Sequence, residues 1–422
     1  MSDTIAAVST GTQVCAIGIV RMSGGKAIEI ADRLFSPVSG RKMADCEDRK
    51  LIYGKLCDEQ GRLLDICLCT ISRAPNSYTG EDTAEFQCHG SPVVLRAVLE
   101  AAFSLGARQA LPGEFTKRAF LNGRMDLSGA EAVADIIDAE TAEAARNAAG
   151  QLGGAISRKI DAVYDTLTDI SSHYHAVLDY PDEDIEDFTL ARYESDIERC
   201  TAVLESLRAS YDSGKLLHSG VPAAIVGRPN AGKSSLLNAV LGYDRAIVTD
   251  IPGTTRDTIE EKLRLGGVLL RLTDTAGIRE TDDEIERMGV TRSRRAMEQA
   301  DLVLAVIDGH REITPEDLEI IKCAERAPHG IVILSKHDLG SLSKMLKTTL
   351  PVIEISSVTG EGLDKLEATV RALFPMPAAP AGEILTNARQ FDAVSRALES
   401  MKAAGDAMRS GCTPDIVPTE TE

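Results

Sequence analysis

Basic residues are scarce in this chain relative to acidic ones. Its 422 residues include 46 Lys and Arg against 65 Asp and Glu, which gives a formal net charge of −19. Contacts to a phosphate backbone need lysine and arginine, so this balance argues against a protein that simply coats nucleic acid.

Long apolar runs and a targeting segment are also missing. Hydrophobic residues make up 43% of the chain, yet no apolar stretch approaches the ~20 residues needed to span a bilayer. The first residues include Asp3 and no basic segment ahead of an apolar one, which argues against a signal peptide. We therefore expect a cytoplasmic protein with no membrane association and about two to three domains.

The nine cysteines show no spacing typical of a zinc site. Cys67 and Cys69 stand two apart in a strand-like run. Residues two apart in a strand point to the same side. Both are therefore expected to be core residues on one face of a sheet.

One motif carries most of the functional information. Residues 227–234 read Gly-Arg-Pro-Asn-Ala-Gly-Lys-Ser and match the phosphate-binding pattern G-x-x-x-x-G-K-[ST]. An apolar run precedes the motif and an amphipathic one follows, which predicts a strand, a loop and a helix. The glycines let backbone N–H groups surround phosphate oxygens at a helix N-terminus. Lys233 is expected to reach the β- and γ-phosphates, and Ser234 to ligate Mg²⁺.

Two further segments are typical of nucleotide switches. Residues 253–257 read Gly-Thr-Thr-Arg-Asp, where Thr255 offers a second hydroxyl to Mg²⁺. Residues 274–277 read Asp-Thr-Ala-Gly after an apolar run. An Asp at such a strand end holds Mg²⁺ through water, and the glycine N–H senses the γ-phosphate.

Guanine recognition is predicted from the next two segments. Residues 335–338 read Ser-Lys-His-Asp where guanine-specific GTPases have Asn-Lys-x-Asp, so Asp338 is expected to accept two hydrogen bonds from the base. Residues 353–357 follow as the segment whose backbone meets the guanine oxygen. Because Ser335 is shorter than Asn, it lacks the amide that would join the base loop to the phosphate loop. We therefore expect weaker GDP binding.

The motifs do not identify the residue that positions the attacking water. Ras-like enzymes use a Gln where this chain has Ile278, and an aliphatic side chain cannot orient water. Asn230, inside the phosphate loop, offers an amide oxygen that could bind a monovalent cation and supply positive charge during hydrolysis. The acids that follow Ile278 are the alternatives for the water-positioning role: Glu280, Asp282, Asp283, Glu284 and Glu286.

Composition and periodicity divide the chain into zones. Residues 1–120 mix short apolar runs with turn signals and predict an α/β domain. Residues 121–215 and 376–422 carry apolar positions at helical spacing and predict one discontinuous helical domain. Residues 216–375 predict an inserted Ras-like GTPase domain with a mainly parallel sheet. The fold class expected is therefore multidomain α/β plus all-α.

The chain resembles the tRNA-modification GTPase family MnmE/TrmE. Nearly the whole chain takes part, in the expected order, through residues 4–6, 18–24, 75–82, 112–127, 179–185, 227–234, 247–257 and 274–289. The resemblance implies an N-terminal domain that dimerises and binds 5-formyl-tetrahydrofolate or a related folate. It also implies a helical domain interrupted by a potassium-activated GTPase domain. Such proteins work with an FAD-dependent MnmG/GidA-like partner on C5 of the wobble uridine in certain tRNAs.

The resemblance also assigns individual residues. Arg21, Glu85 and Arg124 fall on folate-contacting positions, and Arg124 stands where many members have Lys. Glu286 falls on the acid that positions water, so the implied catalytic residues are Glu286, Lys233 and Asn230. Potassium coordination is implied for Asn230, Thr249, Ile251 and Thr254. The full set expected to contact GTP is Asn230, Ala231, Gly232, Lys233, Ser234, Ser235, Thr249, Asp250, Ile251, Pro252, Gly253, Thr254, Thr255, Asp274, Thr275, Ala276, Gly277, Lys336, Asp338, Ser356 and Ser357.

The C-terminal end departs from the family pattern. The sequence stops at Glu422 without a Cys-Ile-Gly-Lys-like tail, and Cys412 lacks the context of that motif. We expect this chain to hydrolyse GTP, to bind folate weakly and to form no modified uridine. Two alternatives stay open: a GTP-dependent assembly switch without modification activity, and a truncated copy that retains only GTP hydrolysis.

Overall fold

The computed structural model describes residues 3–11, 13–179, 190–243, 261–272, 297–340, 346–375 and 380–409. The chain folds into two compact units, Met1–Ala134 and Asp135–Glu422. Within the described ranges, no helix combines the length and the apolar character needed to cross a lipid bilayer.

A seven-stranded sheet forms the centre of the first unit. Its strands are β1 (Ile5–Val8), β2 (Ile17–Ser23), β3 (Phe35–Pro37), β4 (Ile52–Cys57), β5 (Leu63–Ser72), β6 (Thr83–His89) and β7 (Arg108–Gln109). They lie in the order β3-β4-β5-β6-β2-β1-β7. Neighbours are antiparallel except β1 and β7, which run parallel. The helices are α1 (Ala27–Leu34), α2 (Pro92–Ser104), α3 (Glu114–Leu121) and α4 (Leu127–Asp138), the last of which ends in the second unit.

One face of this sheet carries the core of the first unit. Cys67, Cys69 and Ile71 alternate along β5 and are all buried, together with Phe86 on β6. Helices α1 and α2 cover the same core with their own apolar residues. The prediction that Cys67 and Cys69 share a core face is therefore confirmed.

The sheet of the second unit is mainly parallel, as predicted. Its described strands are β8 (Val221–Val226), β9 (Glu261–Leu265), β10 (Val268–Leu272), β11 (Leu302–Asp308), β12 (His329–Ser335) and β13 (Val352–Glu354). They lie in the order β13-β12-β11-β8-β10-β9, and only the β9–β10 hairpin is antiparallel. In such a sheet the carboxyl ends of the strands form the ligand-binding edge. Strands β8, β11 and β12 therefore direct their following loops to one place.

Helices complete the second unit. They are α5 (Ala142–Leu152), α6 (Ala155–Asp179), α7 (Leu190–Ala209), α8 (Tyr211–Ser219), α9 (Lys233–Tyr243), α10 (Pro315–Ala324), α11 (Leu363–Leu373) and α12 (Ala388–Arg409). The predicted apolar positions Ile156, Val163 and Ile170 of α6 share a core with Leu204 of α7 and Leu398 of α12. Helices that precede the parallel sheet in the sequence thus pack with a helix that follows it. The predicted fold class is confirmed, while the exact domain boundaries stay a prediction.

Buried polar side chains fix the segment that leads into α12. Asn147 of α5 accepts a hydrogen bond from the N–H of Gly382 at 2.9 Å and donates one to the carbonyl of Ile384 at 3.1 Å. Ser210 accepts from the N–H of Leu385 at 3.0 Å. These bonds satisfy backbone groups that would otherwise be buried without partners.

Candidate functional site

The phosphate loop, residues 227–232, connects β8 to α9 along a backbone path that few residue types permit. A Cβ atom at Gly227 would lie 2.3 Å from the carbonyl oxygen of Val306, so any side chain there would collide with β11. Gly232 has φ +99° and Asn230 has φ 60°. Glycine and asparagine adopt such left-handed values more readily than other residues. The path ends at the N-terminus of α9, where backbone N–H groups favour phosphate.

Lys233 bends back over this loop. Its Nζ donates to the carbonyl oxygens of Gly227 at 2.7 Å and Arg228 at 2.9 Å. Burial lowers the pKa of the Lys233 ammonium group, because partial removal from water disfavours its charged form. Two of three N–H donors are engaged, so one remains for a phosphate oxygen. An anion there would also offset the cost of burying the charge.

Lys336 ties the base loop, residues 335–338, to the phosphate loop. Its Nζ donates to the backbone oxygen of Asn230 at 2.9 Å and to Asp308 Oδ2 at 2.7 Å. Asp308 ends β11, and its pKa is lowered by the hydrogen bond from Lys336 despite an opposing effect of burial. Sequence reasoning missed Asp308, although an acid closing an apolar strand was a signal for it.

The expectation that Ser335 loses its tie to the phosphate loop is wrong. Its hydroxyl lies within hydrogen-bond distance of the carbonyl oxygens of Ala231, in the phosphate loop, and Ile307. Ser335 is 2% exposed and sits directly against Gly232. Because Gly232 has no side chain, the short serine reaches the loop carbonyl. A hydroxyl has only one hydrogen, however, so its two acceptors must share it.

Asp338, the predicted base-recognition residue, is held by Ser356. The Ser356 hydroxyl donates to Asp338 Oδ1 at 2.7 Å, and Ser356 itself is fully buried. Asp338 is exposed at the carboxyl edge of the parallel sheet. Fixing one carboxylate oxygen orients the other, which suits a group that must accept two N–H bonds from a planar base. The structure thus brings together the phosphate loop, Lys336, Asp338 and Ser356.

Several predicted site residues lie outside the described residues. They are Thr249, Asp250, Ile251, Pro252, Gly253, Thr254, Thr255, Asp274, Thr275, Ala276, Gly277 and Glu286. Of the two predicted Mg²⁺ ligands, Ser234 is exposed in the first turn of α9, next to the phosphate loop. A hydroxyl at that position fits a hard cation that prefers oxygen ligands. Ser235 is exposed beside it, and Ser357 is half-buried beside Ser356.

A second polar cluster lies in the first unit. Arg21 of β2 and Glu85 of β6 face each other across the two strands, with Arg21 Nε 2.6 Å from Glu85 Oε1. The Arg21 guanidinium also lies 5.3 Å from the ring centre of Tyr78 and 5.8 Å from that of Phe115. Flat aromatic and guanidinium surfaces beside a carboxylate suit a planar heterocycle with N–H donors.

Arg124, the third predicted folate residue, lies beside the loop that holds Tyr78. Its side chain is exposed, and a Cβ at Gly80 would come within 3.2 Å of its Cγ atom. Among the described residues, no hydrogen bond or ion pair joins Arg124 to Arg21 or Glu85. The structure therefore brings Arg21 and Glu85 into contact, and places Arg124 on the neighbouring loop.

Arg118 joins three carboxylates of the first unit, a role that sequence reasoning missed. Its guanidinium lies 2.7 Å from Asp3, 2.9 Å from Glu81 and 3.1 Å from Glu114. A hydrogen bond from Arg108 is the main cause that lowers the pKa of Glu114 to about 2. Glu114 is an i,i+4 neighbour of Arg118 on α3, whereas Asp3 and Glu81 come from distant segments that no local pattern in the sequence identifies.

Comparison with known proteins extends over the whole chain. Residues 4–124 match the family described as GTP-binding protein TrmE N-terminus, and residues 127–421 match the MnmE helical domain. A tRNA modification GTPase MnmE from Roseiflexus sp. (strain RS-1) is 43% identical over 432 aligned residues, covering 99% of this chain and 92% of that protein. The one from Clostridioides difficile (strain 630) is 41% identical, covering 100% of this chain and 93% of that protein. The chain belongs to the MnmE/TrmE family.

Proposed function

We propose that this protein is a potassium-activated GTP hydrolase that acts in the modification of C5 of the wobble uridine in certain tRNAs. The observation that carries the proposal is the joined phosphate and base loops, in which Lys336 donates to the backbone of Asn230 while Lys233 closes over Gly227. The relatives, which are tRNA modification GTPases by name, supply the link to tRNA.

The chain's own residues account for nucleotide binding. The loop of residues 227–234 surrounds the phosphates with backbone N–H groups, and Lys233 adds a positive charge. Asp338, oriented by Ser356 at 2.7 Å, selects guanine over adenine because only guanine presents two N–H donors to one carboxylate. Lys336 holds the phosphate loop and the base loop together.

Hydrolysis needs charge compensation and an oriented water. Glu286 is the residue that orients the water, in a role that Ile278 cannot take. Ser234 and Thr255 would hold Mg²⁺, which would supply positive charge to the phosphate oxygens. Asn230, with Thr249, Ile251 and Thr254, would hold potassium through side-chain or backbone oxygens, and that ion would supply the positive charge that an arginine supplies elsewhere.

The N-terminal cluster is the folate site of this proposal. Arg21, Glu85 and Arg124 bind 5-formyl-tetrahydrofolate or a related folate, which serves as the one-carbon donor. The contact of Arg21 with Glu85, Tyr78 and Phe115 supports this assignment. The protein works in the cytoplasm as a homodimer together with an FAD-dependent MnmG/GidA-like partner.

Folate binding and complex formation separate this proposal from a GTP-dependent assembly switch, which needs neither. Calorimetric titration of the full chain with 5-formyl-tetrahydrofolate should show saturable binding, and the FAD-dependent partner should co-elute with the chain in size-exclusion chromatography. Loss of folate binding or of partner binding should leave the rate of GTP hydrolysis unchanged. A chain that hydrolyses GTP but shows neither folate binding nor partner binding is an assembly switch or a hydrolysis-only copy.

A further inference from the structure

Two thiols and a carboxylate meet where β5 and β6 lie side by side in the first unit. Leu68 pairs with Gln87 in the antiparallel register, which places Cys67 opposite Cys88. Asp65, two residues before Cys67 on β5, points to the same face because side chains alternate along a strand. One carboxylate oxygen of Asp65 and the two sulfur atoms all lie within 4.8 Å of one another.

These separations suit a small tetrahedral cation. With zinc–sulfur bonds of about 2.3 Å and zinc–oxygen bonds of about 2.1 Å, tetrahedral geometry puts neighbouring ligand atoms roughly 3.5–3.8 Å apart. From their upper limit of 4.8 Å, the three atoms would have to approach one another by at most about 1.3 Å. Small rotations of the three side chains suffice for that, since the strands already hold their Cβ atoms together.

The Asp65 carboxylate is the negatively charged group of the cluster, and no lysine or arginine pairs with it among the described residues. The Asp65 side chain is only 10% exposed, and both of its oxygens accept from His89: Oδ2 from the backbone N–H at 2.8 Å and Oδ1 from Nδ1 at 2.9 Å. Among the described residues, no lysine or arginine lies within 4.0 Å of Asp65. The backbone N–H of Ile66 also donates to Oδ1 at 2.7 Å, so three of about four lone-pair positions of the carboxylate are used and one remains for a metal ion.

Both thiols of the cluster are buried. Cys67 is 5% exposed and Cys88 is 2% exposed. A hydrogen bond with the Cys67 thiol, burial and the negative charge of Asp65 together raise the pKa of Cys88 far above its usual range. A bound divalent cation would instead favour the thiolate form, because a coordinated thiol is deprotonated outright.

We propose that Asp65, Cys67 and Cys88 form a zinc site in the first unit. Two thiolates favour a soft or borderline cation over Mg²⁺ or Ca²⁺. Binding releases the two thiol protons to solvent, and the fourth coordination position is left to water. The site fixes the ends of β5 and β6, because all three ligands lie on these two strands.

The test is a metal titration of the full chain under reducing conditions. Protein stripped with a chelator should bind about one equivalent of Co²⁺, with a thiolate-to-metal charge-transfer band that Zn²⁺ then bleaches. Affinity should fall as the pH is lowered, because protons compete for the two sulfurs. Zinc should also raise the thermal midpoint of unfolding.

Variants identify the ligands. Cys88→Ala and Cys67→Ala should abolish the charge-transfer band, and Asp65→Asn should weaken Co²⁺ binding by more than about tenfold. Cys69→Ala is the matched control, because Cys69 lies on the same face of β5 and is fully buried but stands outside the cluster. Asp65→Asn keeps the side-chain shape, so it reports on ligation even where an alanine variant fails to fold.

Two results would overturn the proposal. One is a chain that binds no Co²⁺ or Zn²⁺, or binds them equally well in Cys88→Ala, which would make the thiols plain core residues. The other is a Cys67–Cys88 disulfide in protein purified from cells without added oxidant, which would make the pair a redox couple instead.

Discussion

The nucleotide site relies on backbone acceptors more than the N-terminal cluster does, although its Lys336 also pairs with Asp308. In the nucleotide site, lysine and serine side chains donate to backbone carbonyls: Lys233 to Gly227, and Lys336 to Asn230. In the N-terminal cluster, side chains pair with side chains, as in the ion pair of Arg21 with Glu85 at 2.6 Å. The first arrangement depends on the path of two loops, and the second on the charges of residues far apart in the chain.

This difference predicts which substitutions each site tolerates. A backbone acceptor cannot be mutated away, so the nucleotide site is vulnerable mainly at its donors and at the glycines that shape the loops. Each partner in an ion-pair cluster can be lost by substitution or by protonation. The following predictions separate the two sites on that basis.

The largest effect is expected at Lys233. Lys233→Ala should lower the rate of GTP hydrolysis by at least about 100-fold, because it removes a preorganised positive charge from the phosphates. Folate binding by the same variant should be unchanged. Lys365→Ala, on an exposed position of α11, is the matched control. A normal rate of GTP hydrolysis in Lys233→Ala would show that Lys233 does not act on the phosphates of GTP.

The converse experiment targets Glu85. Glu85→Gln keeps the shape but removes the charge that faces Arg21 and the ligand. Folate affinity should fall by about 1.5–3 kcal/mol, the range for a hydrogen bond to a charged group. Calorimetry measures this loss, GTP hydrolysis should not change, and Glu100→Gln on the exposed side of α2 should behave like the unaltered protein. Equal folate binding by Glu85→Gln and Glu100→Gln would remove Glu85 from the site.

Ser335 offers a smaller effect that tests the loop-to-loop tie. Ser335→Ala should weaken GDP binding by about 1 kcal/mol, because it leaves the carbonyl of Ala231 without its donor. Ser335→Asn should tighten GDP binding by a similar amount, since an amide has two hydrogens where the hydroxyl shares one. Dissociation of a fluorescent GDP analogue measures both. If Ser335→Asn loosened GDP, the space beside Gly232 would be too small for the amide.

The smallest effect is a pH dependence confined to the N-terminal cluster. The folded-state pKa of Glu114 is depressed from 4.5 to about 2 by Arg108. Its contribution to stability is therefore present above pH 4.5 and is lost as the pH falls from there to about 2. The stability difference between the unaltered chain and Arg108→Gln should shrink across that window.

Urea unfolding at several pH values measures this difference. Circular dichroism is the suitable signal because the chain has no tryptophan. Arg96→Gln, at an exposed position of α2, serves as the control and should differ little from the unaltered chain at every pH. A difference for Arg108→Gln that stays constant down to pH 2 would show that Glu114 does not depend on this pair.

Local sequence patterns predicted the nucleotide site well because its parts are contiguous. The motif at residues 227–234 specified the β8–loop–α9 unit, and the apolar run before residue 335 specified β12. The reach of the Ser335 hydroxyl to the phosphate loop was not predictable. It depends on how closely two loops from different strands approach, which no single motif states.

The first unit shows the limit of such reasoning. Period-two alternation placed Cys67 and Cys69 on one face, but the approach of Cys88 depends on the register between β5 and β6. Arg118 likewise acquires its carboxylate partners from residues as distant as Asp3. Only the family resemblance pointed to Arg21 and Glu85, because physical reasoning on the sequence gave no ligand for them.

Cation dependence of GTP hydrolysis tests the central claim most directly. Rates are measured in KCl and NaCl at equal ionic strength for the unaltered chain and for Asn230→Gly. Glycine is the sharper replacement than alanine because Asn230 has φ 60°, which glycine adopts without strain while losing the amide. We predict much faster hydrolysis in KCl, and loss of that advantage in Asn230→Gly with GDP affinity mostly retained. Equal rates in the two salts would contradict the account and leave Asn230 as a residue that only shapes the loop.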